Sequence, residues 1–113
     1  MKTIIAGSRK ITDYNVLEEA IASSGFHVSE VISGGAKGVD SLGEWYATKN
    51  NLPLTIIKAQ WDRYGRSAGF IRNEAMAMEG EALIAVWDAE SRGTANMISL
   101  ARKYKLEEFV WIV

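Results

Sequence analysis

Ala82-Leu83-Ile84-Ala85-Val86-Trp87 carries no polar side chain on either of its two faces. A strand with one face in water alternates apolar and polar residues, whereas a strand covered on both faces by helices does not. The segment therefore reads as the central strand of a parallel sheet. Its flanks agree. Upstream, Ser67 to Glu79 places Ile71, Ala75 and Met78 at helical spacing; downstream, Thr94 to Tyr104 does the same with Met97, Ile98, Ala101 and Tyr104. A strand held between two amphipathic helices is one unit of a β-α repeat.

The repeat extends towards both ends of the chain. Apolar runs at Thr3 to Ala6, Val28 to Ser33, Leu54 to Lys58 and Glu108 to Val113 predict four further strands. Helical patterns separate the first three of these. One runs from Tyr14 to Ser24, with Val16, Leu17, Ala20 and Ile21 on one face; the other runs from Val39 to Asn50, with Leu42, Trp45 and Tyr46 apolar. This alternation predicts a single Rossmann-like α/β domain over residues 1–113, built on a five-stranded parallel sheet with helices on both faces. Right-handed crossovers favour the strand order 3-2-1-4-5. No internal repeat or low-complexity linker interrupts the pattern.

Composition narrows the function. The 113 residues suit one domain and are too few for two ordinary ones. With no cysteine, disulfides, thiolate metal sites and cysteine nucleophiles are excluded, and the single histidine, His27, excludes any site needing two imidazoles. No metal-ligand cluster is visible and no cofactor is expected, although magnesium could arrive with a phosphate ligand. The apolar run at Met1 to Gly7 is too short for a signal peptide, and no run reaches the roughly 18 apolar residues of a membrane span, so a cytoplasmic protein without a membrane partner is expected. A formal net charge of −1 argues against gripping nucleic acid through many phosphates. A small anionic ligand needs only a local positive pocket.

In open parallel sheets ligands sit beyond the carboxyl ends of the strands, near the point where the strand order reverses. Glycine, hydroxyl and basic residues gather at these ends. Gly7-Ser8-Arg9 follows the first strand. Ser33-Gly34-Gly35-Ala36-Lys37-Gly38-Val39-Asp40 follows the second, with three glycines in five residues, and could cradle a phosphate on backbone N–H groups at a helix N-terminus. It matches neither GxxxxGK[ST] nor GxGxxG. The bland alternative is a tight turn in which Ser41 and Glu44 form a capping box. Asp40 reads as a helix cap or as a hydrogen-bond acceptor for a ribose or base. Arg72 and Asn73 lie early in the third helix, and Arg9 and Arg72 suit phosphate contact. Ser91, Gly93 and Thr94 open the last helix and read equally well as a cap. A base could stack on Trp61 or Tyr64 in the long third loop, Ala59 to Arg66, although aromatics more often anchor such a loop to the core.

Four of these stretches, Ala6-Gly7-Ser8-Arg9, Ser33 to Asp40, Ala68-Gly69-Phe70-Ile71-Arg72-Asn73-Glu74-Ala75-Met76, and Ala82 to Asp88 followed by Ser91-Arg92-Gly93-Thr94, resemble in order the YspA/YpsA-related SLOG family. The resemblance spans nearly the whole chain. It implies a Rossmann-like fold that binds a nucleotide or nucleotide-derived ligand, in the manner of domains that sense or sequester a signalling nucleotide. Two related groups imply alternatives. The cytokinin-activating phosphoribohydrolases cleave an N-glycosidic bond, and here Asp40 or Glu44 would supply the acid or base; their PGGxGTxxE motif is similar to the stretch from Ser33, but no glutamate falls at the matching spacing. The DprA-type DNA-processing proteins bind single-stranded DNA and share a similar glycine loop and an Arg-Asn pair, but the charge balance makes a nucleic-acid partner the weaker expectation. By analogy a homo-oligomer is expected, with exposed tryptophans among Trp45, Trp61 and Trp111 at an interface.

Overall fold

A computed structural model describes residues 1–113. Strands β1 (Lys2–Gly7), β2 (Glu30–Ser33), β3 (Leu54–Ile56), β4 (Ala82–Trp87) and β5 (Glu107–Ile112) form one parallel sheet in the order β3-β2-β1-β4-β5. Helices α1 (Tyr14–Ser24), α2 (Val39–Lys49), α4 (Ala68–Glu79) and α5 (Arg92–Lys103) make the crossovers, and a short helix α3 (Trp61–Tyr64) with a following 3-10 turn (Gly65–Ser67) precedes α4. No helix is long and apolar enough to cross a membrane.

Alternation along the strands divides the core into two layers. Leu83 and Ala85 face Met76, Ala77, Met97, Ile98 and Ala101 of α4 and α5. Ile84 and Val86 face Leu17, Ala20, Ile21, Val39 and Ala47 of α1 and α2. Ile4, Ile5, Leu83 and Ile84 are wholly buried, each such side chain stabilising the fold by about 1.5–3 kcal/mol. The doubly apolar reading of Ala82 to Trp87 thus matches its interior place between β1 and β5, covered by helices on both faces. Local chemistry sets the helix ends. Asp13 caps α1 by accepting from the Asn15 N–H at 3.0 Å, and Gly25 ends that helix at φ 69°.

Some expected boundaries and faces move. The second strand starts at Glu30 rather than Val28, because the first strand offers no ladder partner before Lys2, which pairs with Glu30. The third strand ends at Ile56 rather than Lys58, because β2 stops at Ser33, where the glycine loop turns away. The third loop folds into α3 and the 3-10 turn. Trp61 and Tyr64 do not anchor it to the core; both are exposed. On α4, Ile71 and Met78 face solvent while Asn73 and Met76 face inward. On α2, Trp45 is exposed, Leu42 and Tyr46 pack half-buried against the core as expected, and the fully buried residues are Val39, Asp40, Gly43 and Ala47. Trp111 is not an exposed residue; it packs against the α1–α2 layer.

Small inner residues let α2 lie close to the sheet. A Cβ on Gly43 would fall 2.8 Å from Ile5 Cγ2, a buried atom with nowhere to go. Gly43→Ala should therefore lower stability by about 1–3 kcal/mol despite the better helix propensity of alanine. Gly93→Ala, where a Cβ meets nothing within 4 Å, should leave stability unchanged or raise it by less than about 1 kcal/mol. Urea denaturation of both variants checks the contrast.

Candidate functional site

The strand order reverses between β1 and β4, and a cavity of about 410 Å³ opens beyond their carboxyl ends. Gly7, Ser8, Arg9, Ala36, Asp40, Arg72, Asn73, Ser91, Gly93 and Thr94 all line it. The structure also brings in Lys10, Asp88 and Glu90, which the sequence reading did not single out. Asp88 directly follows β4, so the strand-end rule was enough to find it.

Ser8 is the knot of this corner. Its N–H donates to the Val86 carbonyl at 3.1 Å, its carbonyl accepts from the Val39 N–H at 3.2 Å, and its hydroxyl donates to Asp88 Oδ2 at 3.1 Å. Ser8 thereby ties β1 to β4 and to the start of α2, and it is only 2% exposed. Asp88 also accepts from the N–H groups of Glu90 and Ser91, both at 2.9 Å. The Ser91 and Glu90 N–H groups, helped by the Ser8 hydroxyl, hold the Asp88 carboxyl below the ordinary carboxylate range. Ser91 caps α5, accepting from the Thr94 N–H at 3.4 Å and the Thr94 hydroxyl at 3.1 Å.

The glycine loop closes on the protein itself. Gly35 N–H donates to Ser33 Oγ and Ala36 N–H to Asp40 Oδ2, both at 3.1 Å. The Ser33 hydroxyl donates to Glu44 Oε2 at 2.7 Å, and the Ser41 hydroxyl to the Ala36 carbonyl at 3.1 Å. The alternative capping box of Ser41 and Glu44 does not form, and Asp40 is not a helix cap, because both carboxylates turn back onto the loop. Gly38 sits at the α2 N-terminus without a side-chain cap, at φ 74°, and a Cβ there would fall 2.6 Å from Arg9 Cα. Lys37 is exposed at the tip of the loop.

Arg72 and Asn73 clamp the two halves of the site together. Arg72 Nη1 donates to the Gly34 carbonyl, and its Nε donates to Asn73 Oδ1 at 3.0 Å. Asn73 Nδ2 donates to the Gly93 carbonyl at 3.1 Å and to Asn96 Oδ1 at 2.9 Å. Asn96 was another residue missed from sequence, since nothing in its helical spacing marks it as a polar partner. At Gly34 a Cβ would lie 2.9 Å from Arg72 Cζ and 2.8 Å from Asp40 Oδ2, so the guanidinium and the carboxylate fill the space that the glycine leaves.

Asp40 is 6% exposed. Burial pushes its carboxyl above the ordinary range and Glu44 acts the same way, while the Ala36 N–H, Arg72 and Arg9 oppose them. Burial likewise lowers the Arg72 guanidinium, with Arg9 adding to that and Asp40 opposing. A buried carboxylic acid facing a cavity can hold or release a proton there. No group of three or more histidine, cysteine or carboxylate side chains converges as a metal site would need. Beside this cavity lies a second cleft of about 370 Å³, reached across Arg9, Ala36 and Arg72, which line both. Gly34, Gly35 and Lys37 face this second cleft, with Lys58 and Trp61.

Fold and site together define a Rossmann-like α/β domain with a polar cavity at the switch point of its sheet. The chain belongs to the YspA, cpYpsA-related SLOG family, whose model matches residues 1–64. The Arg72-Asn73 pair and the α5 cap lie beyond the matched residues. The Gene 61 protein of Mycobacterium phage D29 is similar, at 29% identity over 90% of this chain and 89% of that protein. The fold is also similar to that of DNA processing protein A (DprA) from Streptococcus pneumoniae, with a TM-score of 0.73 at 17% identity. That likeness covers 96% of this chain and 49% of DprA, so the chain spans about half the length of that neighbour.

Asn73→Ala leaves the Gly93 carbonyl, Asn96 and Arg72 Nε without their partner, and should lower stability by about 2–4 kcal/mol, read from urea denaturation. Asp40 sets a pH dependence. Its native-state value lies above the ordinary 3.8, so between the two values the folded chain keeps a proton that the unfolded chain has released. Stability attributable to Asp40 therefore falls as pH rises through that window and stays low above it. Asp40→Asn does not ionise, so its stability relative to the native sequence should climb across the same window. Denaturation series from about pH 4 to pH 8 check this, and a constant difference would contradict it.

Proposed function

We propose that this chain binds a nucleotide or nucleotide-derived phosphate ligand at the switch-point cavity and acts as a binding module that senses or sequesters a signalling nucleotide. The observation that carries the reading is the placement of Arg9 and Arg72 on the wall shared by both cavities, at the end of the sheet where such ligands sit. Arg72 spends two of its five donors on Gly34 and Asn73, which leaves three for an anion. Arg9 is exposed and makes no side-chain hydrogen bond or ion pair. Ser91, Thr94 and Asp40 line the rest of the cavity and offer partners to sugar hydroxyls and base edges. Membership of the SLOG family supports the same reading. Self-association belongs to it too, supported by the exposed apolar side chains of Trp45, Phe70, Ile71 and Met78.

One observation favours a second reading. Asp40 is a buried acid whose proton is held above the ordinary range at the cavity wall, the condition a general acid needs to protonate a departing base. In that reading the chain cleaves an N-glycosidic bond in a nucleoside phosphate.

A thermal-shift series with mono-, di- and cyclic nucleotides, and mass spectrometry of every ligand that shifts the melting point, separates these readings. Binding with the ligand recovered whole is expected. Recovery of free base and sugar phosphate, lost in Asp40→Asn, would establish the hydrolase instead. Arg9→Ala should weaken nucleotide binding about tenfold or more with no change in melting temperature, because Arg9 holds nothing within the fold. No shift with any nucleotide overturns the proposal.

A further inference from the structure

The second cleft differs in chemistry from the first. Its charged lining is Arg9, Lys37, Lys58 and Arg72, with no carboxylate, and its one aromatic wall is Trp61. The four ion pairs of the chain all lie elsewhere, at Lys2–Glu79, Lys49–Glu18, Arg102–Glu108 and Lys103–Glu74. None of the cleft cations has a carboxylate within ion-pair distance. Four such cations around one depression, in a chain of net charge −1, make a local positive field that an incoming anion compensates. The first cavity is mixed, with Asp40, Asp88 and Glu90 facing Arg9, Lys10 and Arg72.

Two glycines set this cleft in place. The stem of Lys58 runs where a side chain at Gly35 would stand, its Cγ 3.1 Å from that Cβ position. At Gly69 the same position is 3.4 Å from Trp61 Cη2 and 4.0 Å from Arg72 Nη2. The indole therefore rests against α4 beside the guanidinium, and it remains 52% exposed. A half-exposed indole beside four cations is an arrangement on which a base can stack.

Resting on the nucleotide-binding reading above, we infer that the ligand has two nucleoside ends joined through phosphate. One end occupies the switch-point cavity, the linking phosphates lie at Arg9 and Arg72, and the second base stacks on Trp61 beside Lys58. Each cavity alone, at about 410 and 370 Å³, is near the lower end of the ~300–1,000 Å³ typical of ligand sites, and the shared wall joins them.

Calorimetric titration of the full chain with AMP, GMP, diadenosine diphosphate, diguanosine diphosphate and a single-stranded DNA of about ten nucleotides tests this. At least one of the two dinucleotides should bind about tenfold or more tightly than its mononucleotide. Trp61→Ala and Lys58→Ala should each remove about tenfold of that affinity while changing mononucleotide binding less than about twofold. Both residues are exposed, so these variants should keep the fold, and Trp45→Ala on α2 serves as an exposed-tryptophan control that should change neither. If mononucleotides bind and dinucleotides gain nothing, or if both variants leave dinucleotide binding intact, the two-ended ligand is wrong and the nucleotide-binding reading survives. If no nucleotide binds, both fall. Tight DNA binding that depends on Trp61, without a dinucleotide preference, overturns the inference in favour of a nucleic-acid strand.

Discussion

Arg72 and Asn73 are neighbours on one helix, and what they hold decides where the loops of both halves of the sheet go. Arg72 reaches the Gly34 carbonyl after β2, and Asn73 reaches the Gly93 carbonyl and Asn96 at the start of α5. The Nε bond to Asn73 Oδ1 joins the two reaches into one unit. The order β3-β2-β1-β4-β5 sends the chain away from β1 in opposite directions; Ser8 joins the loops after β2 and β4 at the sheet end, and a second bridge spans them from outside. Helix α4 supplies it. Each of these bonds is worth about 1 kcal/mol net, but an orphaned partner inside the fold costs about 1–3 kcal/mol, so the clamp is held mainly by the penalty of breaking it.

The glycines work with this clamp in a way that glycine-rich loops do not advertise. Gly34 leaves room for Arg72 and Asp40, Gly38 for the backbone at Ser8 and Arg9, and Gly7 for the Val86 carbonyl and the Val39 side chain. These are gaps filled by the protein. With the Gly35 and Ala36 N–H groups committed to Ser33 and Asp40, much of the loop's backbone is already satisfied. Positive charge at the site then comes chiefly from side chains, whose positions the glycines permit.

Much of the architecture was legible in the sequence because it depends on short-range pattern. Doubly apolar strands, turn glycines and alternating helices led to the strand order and to the loops around the cavity. The inner faces of α2 and α4 were legible only in part, Leu42 and Tyr46 of α2 being read correctly. On α2 the core-facing residues include Gly43 and Asp40, which no hydrophobic count selects, while the larger Trp45 points out. On α4 the polar Asn73 turns inward because its partners lie on α5 and in the loops, and Ile71 is carried to the surface. The alternative of a capping box at Ser41 and Glu44 is absent for a related reason: the Ser33 hydroxyl and the Ala36 carbonyl, brought close only by the fold, engage those side chains instead.

The buried carboxyl of Asp40 also bears on the charge of the site. A fully ionised carboxylate in contact with Arg72 would neutralise the guanidinium and leave little field for a ligand. No ion pair forms between them, and burial raises the Asp40 carboxyl above its ordinary range while the Ala36 N–H and Arg72 oppose it. Burial also pushes the Arg72 guanidinium down, yet a guanidinium in a protein keeps its proton. Asp40 accordingly fixes the loop through the Ala36 N–H without pairing with Arg72. Loop closure and a positive site coexist here because the Asp40 carboxyl is turned onto the Ala36 N–H at the cavity wall, and the Arg72 guanidinium onto the Gly34 carbonyl and Asn73.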